Sequence, residues 1–527
     1  MRPFPLRHLP PRPARWAALA ATVGLLAAAC APGPAAPPAF VTALGGPIAA
    51  PSSTPAPAAP AWRAPADGSV AWTDCGDDLA RQYGMPAPTG TVTVECATMR
   101  VAVDPAAADS DEMTLTLTRA SADDTPKGAA PLVLVGGTDL TSQRALLTLT
   151  AADAPLLRGH PVVAVERRGL GPSSTVSCLP PTDVAVLRNA GAAPGASTAA
   201  RIAALGSAST DLTNACADKL TGDQSMYTAA AAAADLEVLR TTWSVPALAL
   251  LSVGDGSTVA LAYLAAHPER VARLVLDSPV RYDGTFTDRT EDAAKGTAAT
   301  MASFATQCRA LGCALGDDPA KAVGDVFAKA AAGTLGGVGD AELLRAVTTE
   351  LAISAGPTSD RITTLADALA SARTGTFGPL QALVASADAT VGSDGQYITT
   401  CSDAGQKPAP DQVAADAAAW AEKYPFGGGV AALNMVGCQG WPAVEPPPAP
   451  KRALVPTMAM LALNDPLTNP SAIDGLGGAI AMAGTQLATV SWAGIGEGAV
   501  LRSACAQQSL SPYLEDLAQP TTSACPA

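Results

Sequence analysis

The chemistry this chain can do is decided at a sharp turn between an apolar strand and a helix. Residues 247–253 are a short apolar run of the length of a buried parallel strand. Gly254, Asp255 and Gly256 follow, then a helical pattern over residues 257–266 that stops at His267 and Pro268, then a second apolar strand over 273–276. A strand driven through a glycine turn into a helix lifts the central residue of the turn above the sheet, where a hydroxyl can act as a nucleophile. The five turn positions are Ser252, Val253, Gly254, Asp255 and Gly256, so the central one is a glycine. Ser252 and Ser257 flank the apex and are not at it. A serine also needs a histidine to take its proton and a carboxylate to hold that histidine. A carboxylate is available in Asp465, at the end of the apolar strand 453–464 in the run D-P-L-T. Histidine is scarce: the chain has His8, His160 and His267. His160 precedes a strand at the wrong edge of the sheet and His267 ends the helix after the turn. Both read as structural. An attack by the Asp255 carboxylate would need the same missing histidine to activate water.

The elements that position these residues are strands alternating with helices. Residues 91–103 and 112–120 alternate as an antiparallel pair. Residues 131–135 form an apolar strand ending in Gly136, Gly137, Thr138 and Asp139, and 161–165 another ending in E-R-R-G-L-G-P-S. An Ala-rich helix over 227–243 leads into the turn strand. This order predicts a mostly parallel sheet covered on both faces. Residues 280–444 differ, being Ala-rich helical pattern broken by Gly and Pro. The sheet resumes at 453–464 and ends with a strand over 486–492, followed by the loop 493–498.

The N-terminus has the order of an export signal: Arg2, Arg7, Arg12 and Arg15, then a short apolar run over 16–29, then small residues before Cys30. The run falls short of the roughly 20 apolar residues of a membrane span. A cysteine after small residues resembles a bacterial lipobox, so residues 1–30 are expected to be a lipoprotein signal peptide. Cys30 would then anchor the protein to the outside of the cell membrane. Residues 31–67 are Pro/Ala-rich and read as a tether. The remainder is globular in composition, 48% hydrophobic and 15% charged. The net charge of −14 excludes binding to a phosphate backbone.

Of 11 cysteines, ten remain beside Cys30, an even number in an exported chain. They fall into neighbour pairs: Cys75 with Cys96, Cys178 with Cys216, Cys308 with Cys313, Cys401 with Cys438, and Cys505 with Cys525. Spacing alone leaves that connectivity open. Metal binding is the rival reading and a poor one, because no C-x-x-C occurs and histidine is so rare.

Taken together, WTDC, ECATMRVAV, LVGGTD, ERRGLGPSSTVSC, DLEVLR, VARLVLDSP, TTCSDA, CQGWP and VPTMAMLALNDPLTNPSAI, in this order from Trp72 to Cys505, resemble the secreted tripeptidyl-aminopeptidase-like branch of the α/β-hydrolases. The resemblance implies an α/β-hydrolase core over 68–285 and 448–527, with a helical cap over 286–447 inserted between. It also implies a Ser-Asp-His triad and no cofactor. Carried over by motif, the triad acid is Asp465, the nucleophile position is Gly254, and the histidine of the family's G-H-G loop falls on Ile495. The oxyanion loop falls on Gly136 and Gly137, continuing into Thr138 and Asp139, whose carboxylate would repel an oxyanion. With two triad members replaced, the expected function is a lipid-anchored pseudoenzyme that binds a peptide or small apolar ligand. The alternatives are an active serine exopeptidase and a structural envelope lipoprotein.

Overall fold

A computed structural model describes residues 58–88, 91–151, 154–193 and 196–527. The expected signal, Cys30 and the tether as far as residue 57 lie outside the described residues. The strands are β1 Thr73–Asp74, β2 Val92–Ala102, β3 Glu112–Ala122, β4 Leu132–Val135, β5 Val162–Val165, β6 Leu248–Val253, β7 Val271–Asp277, β8 Thr457–Asn464, β9 Leu487–Ile495 and β10 Ala524–Cys525. They form one sheet in the order β1-β2-β3-β5-β4-β6-β7-β8-β9-β10. The hairpin β2–β3 pairs antiparallel from Val92 opposite Ala122 to Ala102 opposite Glu112, and β3 pairs antiparallel with β5. From β5 onward every pairing is parallel.

The sequence explains the difference. β2 alternates buried and less buried residues from Ala97 onward, as a sheet wetted on one side does, while β3 alternates only at its start and is buried from Leu115 to Thr118 where it meets β5. β4, β5, β6 and β7 are buried at every position. Helices cover both faces there, so each Leu or Val side chain contributes about 1.5–3 kcal/mol by leaving water. The helix Gly256–Ala266 is itself apolar nearly all round and packs under the sheet centre. All five neighbour cysteine pairs are disulfides, with Cα atoms 4.9 to 5.8 Å apart.

The tether reading stops short of residue 67. Trp62 stacks on His160 with ring centroids 4.3 Å apart and donates its indole N–H to the Pro131 carbonyl. An aromatic surface of that size gains more from docking than from water, so the chain is already part of the domain there. His160 is thereby used structurally, its Nδ1 lying 2.9 Å from the Ala130 carbonyl oxygen.

Between β7 and β8 the chain makes a run of α-helices, from Phe286–Leu311 to Gly428–Asn434. The helices Phe286–Leu311, Pro319–Ala331, Asp340–Ala352 and Thr358–Arg373 share a hydrophobic core of their own. Ile495, the last residue of β9, lies fully buried inside that core. Two arginines, Arg361 buried and Arg502 half-buried, fasten the same place. Arg361, from the cap, donates to the Ile495 carbonyl at 2.8 Å. Arg502, which follows β9, donates to the Glu497 carbonyl at 3.0 Å and to Ala352 in the cap at 2.5 Å.

Candidate active site

The turn after β6 has the geometry that the sequence predicts. Gly254 has φ +58°, in the left-handed region that a side chain enters only under strain, and its N–H donates to the Asp277 carbonyl at 3.0 Å. A Cβ built on Gly254 would stand 2.1 Å from Oε1 of Glu497. The side chain that reaches the apex from the loop after β9 is therefore that of Glu497.

Ile495 does not face this apex. β9 runs three residues beyond the predicted 486–492, so Ile495 is still strand, opposite Asn464 and past a register shift in the β8 pairing. Its side chain points into the cap core. Gly496, at φ +135°, then turns the chain and delivers Glu497 to the strand ends. The histidine position carried over by motif is thus two residues off in space, and the glycine-flanked charge at 497 was the signal for it.

Asp465 stands where its motif places it, at the end of β8 and 1% exposed. It accepts the Leu467 N–H at 2.9 Å and the Thr468 hydroxyl at 3.1 Å. Burial pushes its pKa up against those bonds. Ser278, at φ +50°, accepts the Gly498 N–H at 3.3 Å. Glu497 is 3% exposed, and its Oε2 has no hydrogen-bond partner among the described residues. Burial raises its pKa well above the usual carboxylate range, and Asp465, Asp255 and Asp139 raise it further, against the opposing charge of Arg502.

The oxyanion loop is occupied from within. Asp255 turns its carboxylate back over Gly137 and accepts both the Thr138 N–H at 2.7 Å and the Thr138 hydroxyl at 2.6 Å. A Cβ on Gly137 would meet Asp255 Oδ1 at 2.2 Å, so glycine there makes room for the carboxylate. Gly136 is equally confined, but by backbone, with its N–H bound to Ser142 Oγ at 2.8 Å. In an acting hydrolase the N–H after the nucleophile and one from this loop meet the oxyanion. Here the loop donor is spent on a carboxylate. The sequence reading gave that repulsion to Asp139; Asp255 is the residue that fills the place. Asp139 lines the cavity beside it, its pKa raised to about 7 by burial and by Asp255.

The neighbouring serines are tied up. Ser252 Oγ lies 3.5 Å from the Val275 carbonyl oxygen, and Ser257 Oγ accepts the Val280 N–H at 3.3 Å. His267 packs against Tyr263 at the far end of its helix. No described histidine lies in the cleft. Two cavities open between sheet and cap. One, of about 330 Å³, is lined by Thr138, Asp139, Asp255, Arg289, Leu467 and Glu497 among others. The other, of about 410 Å³, is mostly apolar and shares Asp139, Phe286, Thr290 and Leu467 with the first. Neither Gly254 nor Ile495 is on either wall.

Sheet order, elbow and inserted helices define an α/β-hydrolase fold. Within it, residues 424–525 match the family described as TAP-like protein, a stretch that holds Asp465 and Glu497. No curated protein matches the chain. Among solved structures, it is similar to a thermophilic esterase from Thermogutta terrifontis, at 13% identity over 80% of this chain and 99% of that one, with a TM-score of 0.36. An esterase from a Rhodococcus species is similar at 16% identity over 77% and 96%, TM-score 0.36. The enol-lactonase from Burkholderia xenovorans is similar at 12% over 77% and 97%, TM-score 0.35.

Proposed function

We propose that this protein is a binding protein on an α/β-hydrolase scaffold that does not turn over esters or peptides, held at the outer face of the cell membrane through a lipid on Cys30. The observation that carries the reading is the pairing of Gly254 with Glu497. At the apex there is no hydroxyl, and the side chain facing it is a buried carboxylate in place of an imidazole. A protonated carboxyl is no base, and an ionised one beside Asp465 and Asp255 repels the negative charge that acyl transfer develops. The Asp255 carboxylate on the Thr138 N–H works in the same direction. What is kept is a lined cleft with apolar walls, the usual form of a ligand site.

The test is activity-based. The purified domain, incubated with a fluorophosphonate probe and with p-nitrophenyl esters and tripeptide amides, should take no label and release no product above the rate in buffer. A probe adduct on any serine, or turnover that the probe abolishes, refutes the proposal.

A further inference from the structure

The smaller cavity has more carboxylates than cations on its wall, although Arg167 pairs with Asp403 at 2.6 Å. Glu497, Asp255, Asp139, Asp403 and Glu445 stand on its wall. The one cation among them is Arg289, whose guanidinium is spent on the carbonyls of Gly284 and Asp403, both at 2.8 Å. Asp255 is satisfied by Thr138. Glu497 is not: it is 97% removed from solvent, by its 3% exposure, and its Oε2 accepts nothing. A buried carboxyl oxygen without a partner destabilises the fold, and a donor arriving from the cavity would offset that cost.

The donor that fits is a cation, because five carboxyl side chains and one guanidinium line the cavity and Arg502 alone opposes the carboxylates that act on Glu497. It is an organic one: among the described residues no three His, Cys, Asp or Glu side chains are placed to hold a metal ion. An ammonium brings three donors and a charge to the buried carboxyl of Glu497, whose Oε2 has no partner among the described residues. The rest of the ligand is apolar, since Leu261, Phe286 and Leu467 face the same space. The larger apolar cavity beyond shares Phe286 and Leu467 as a common wall.

We propose that the cavity at the former catalytic centre binds an organic ammonium on an apolar body, with the ammonium donating to Glu497 and the body lying along Phe286 and Leu467. The proposal rests on the non-hydrolytic reading and gives it a ligand class. The ammonium belongs either to a free alkylamine or to the N-terminus of an apolar peptide, two sources of one chemistry.

Isothermal titration of the intact domain at neutral pH with octylamine, octanol, leucyl-leucinamide and its N-acetyl derivative tests it. Octylamine or leucyl-leucinamide should bind at least roughly tenfold more tightly than its uncharged counterpart, the scale of a desolvated charge pair. The tighter of the two amines identifies the source. Glu497→Gln, which keeps the shape and removes the charge, should bring charged and uncharged ligands to equal affinity. Octanol binding as well as octylamine in the wild type, or neither amine binding, overturns the proposal even if the variant fails to fold. So does a folded Glu497→Gln that keeps the full preference. Failure of this kind without ester turnover leaves the non-hydrolytic reading standing, whereas turnover in the parallel esterase assay refutes that reading by itself.

Discussion

Rebuilding a triad is the sharpest check on which residue faces the apex. Gly254→Ser alone should be inert and less stable. Its Cβ would lie 2.1 Å from Glu497 Oε1, so a buried carboxylate must move. The left-handed φ adds about 1–2 kcal/mol. A total loss of about 2–4 kcal/mol in chemical unfolding is expected. Glu497→His alone lacks a nucleophile and should also be inert. Gly254→Ser with Glu497→His places hydroxyl, imidazole and the Asp465 carboxylate in sequence, and weak hydrolysis of p-nitrophenyl acetate should appear. It stays weak because the Thr138 N–H is held by Asp255 at 2.7 Å. One lost oxyanion donor costs about 10²–10³ in rate, so adding Asp255→Ala should raise the double variant by that factor. Gly254→Ser with Ile495→His is the control and should remain inert, its imidazole directed into the cap core. The reasoning is refuted if the Ile495→His pair is the active one. It is also refuted if Asp255→Ala leaves the folded double variant no faster.

Other consequences follow from charge, burial and the chain start. Glu166 and Asp277 are fully buried, and burial raises each pKa to about 7, above the 4.5 and 3.8 of the free groups. The folded state therefore holds protons that the unfolded chain releases between about pH 4 and 7. Stability should fall as pH rises through that window, by at most about 1.4 kcal/mol per unit for each group. Thermal melts should give a higher Tm at pH 5 than at pH 8, and the reverse order would contradict the burial argument. Arg168 and Asp235 form a buried two-bond ion pair at 2.6 and 2.9 Å, with Arg168 also bound to the carbonyls of Ala102, Val103 and Met226. Asp235→Asn should cost about 3–5 kcal/mol in denaturant unfolding by leaving the guanidinium unpaired, and a loss under 1 kcal/mol would show the pair to be dispensable. A fatty-acid probe fed to expressing cells should label the wild type and not Cys30→Ser, and equal labelling of both would remove the anchor from the proposal.

Much of the architecture was legible because it rests on local rules. Continuous apolar runs marked β4 to β7, alternation marked β2 and β3, and glycines marked the elbow. Asp465 could be placed because a short motif at a strand end fixes a position in space. The five disulfides followed neighbour pairing, which holds when small loops close on themselves. The site's occupant was not legible. In the run G-I-G-E-G both 495 and 497 are flanked by glycines, and where β9 stops decides between them. That stop depends on the cap core receiving Ile495 and on the Arg361 and Arg502 guanidiniums holding the loop carbonyls, neither of which a linear pattern records. Asp255 was read as a weak nucleophile candidate for a similar reason, since only folding brings Thr138 within reach of its carboxylate. Trp62 looked like part of a low-complexity tether because its partners, Pro131 and His160, lie far along the chain.

The burial of Ile495 in the cap also fixes an order of events during synthesis. The ribosome delivers the chain from its N-terminus, so the cap helices are made well before β9. Until β9 arrives, the cap core lacks a side chain it is shaped around, and Arg361 lacks the Ile495 carbonyl it binds. A nascent or C-terminally truncated chain ending before residue 495 would present an unfinished hydrophobic pocket and an under-satisfied guanidinium to its surroundings. The inserted domain is thus completed only by one of the last pieces of chain to be made, and a holdase acting on this protein would have most to cover in that interval.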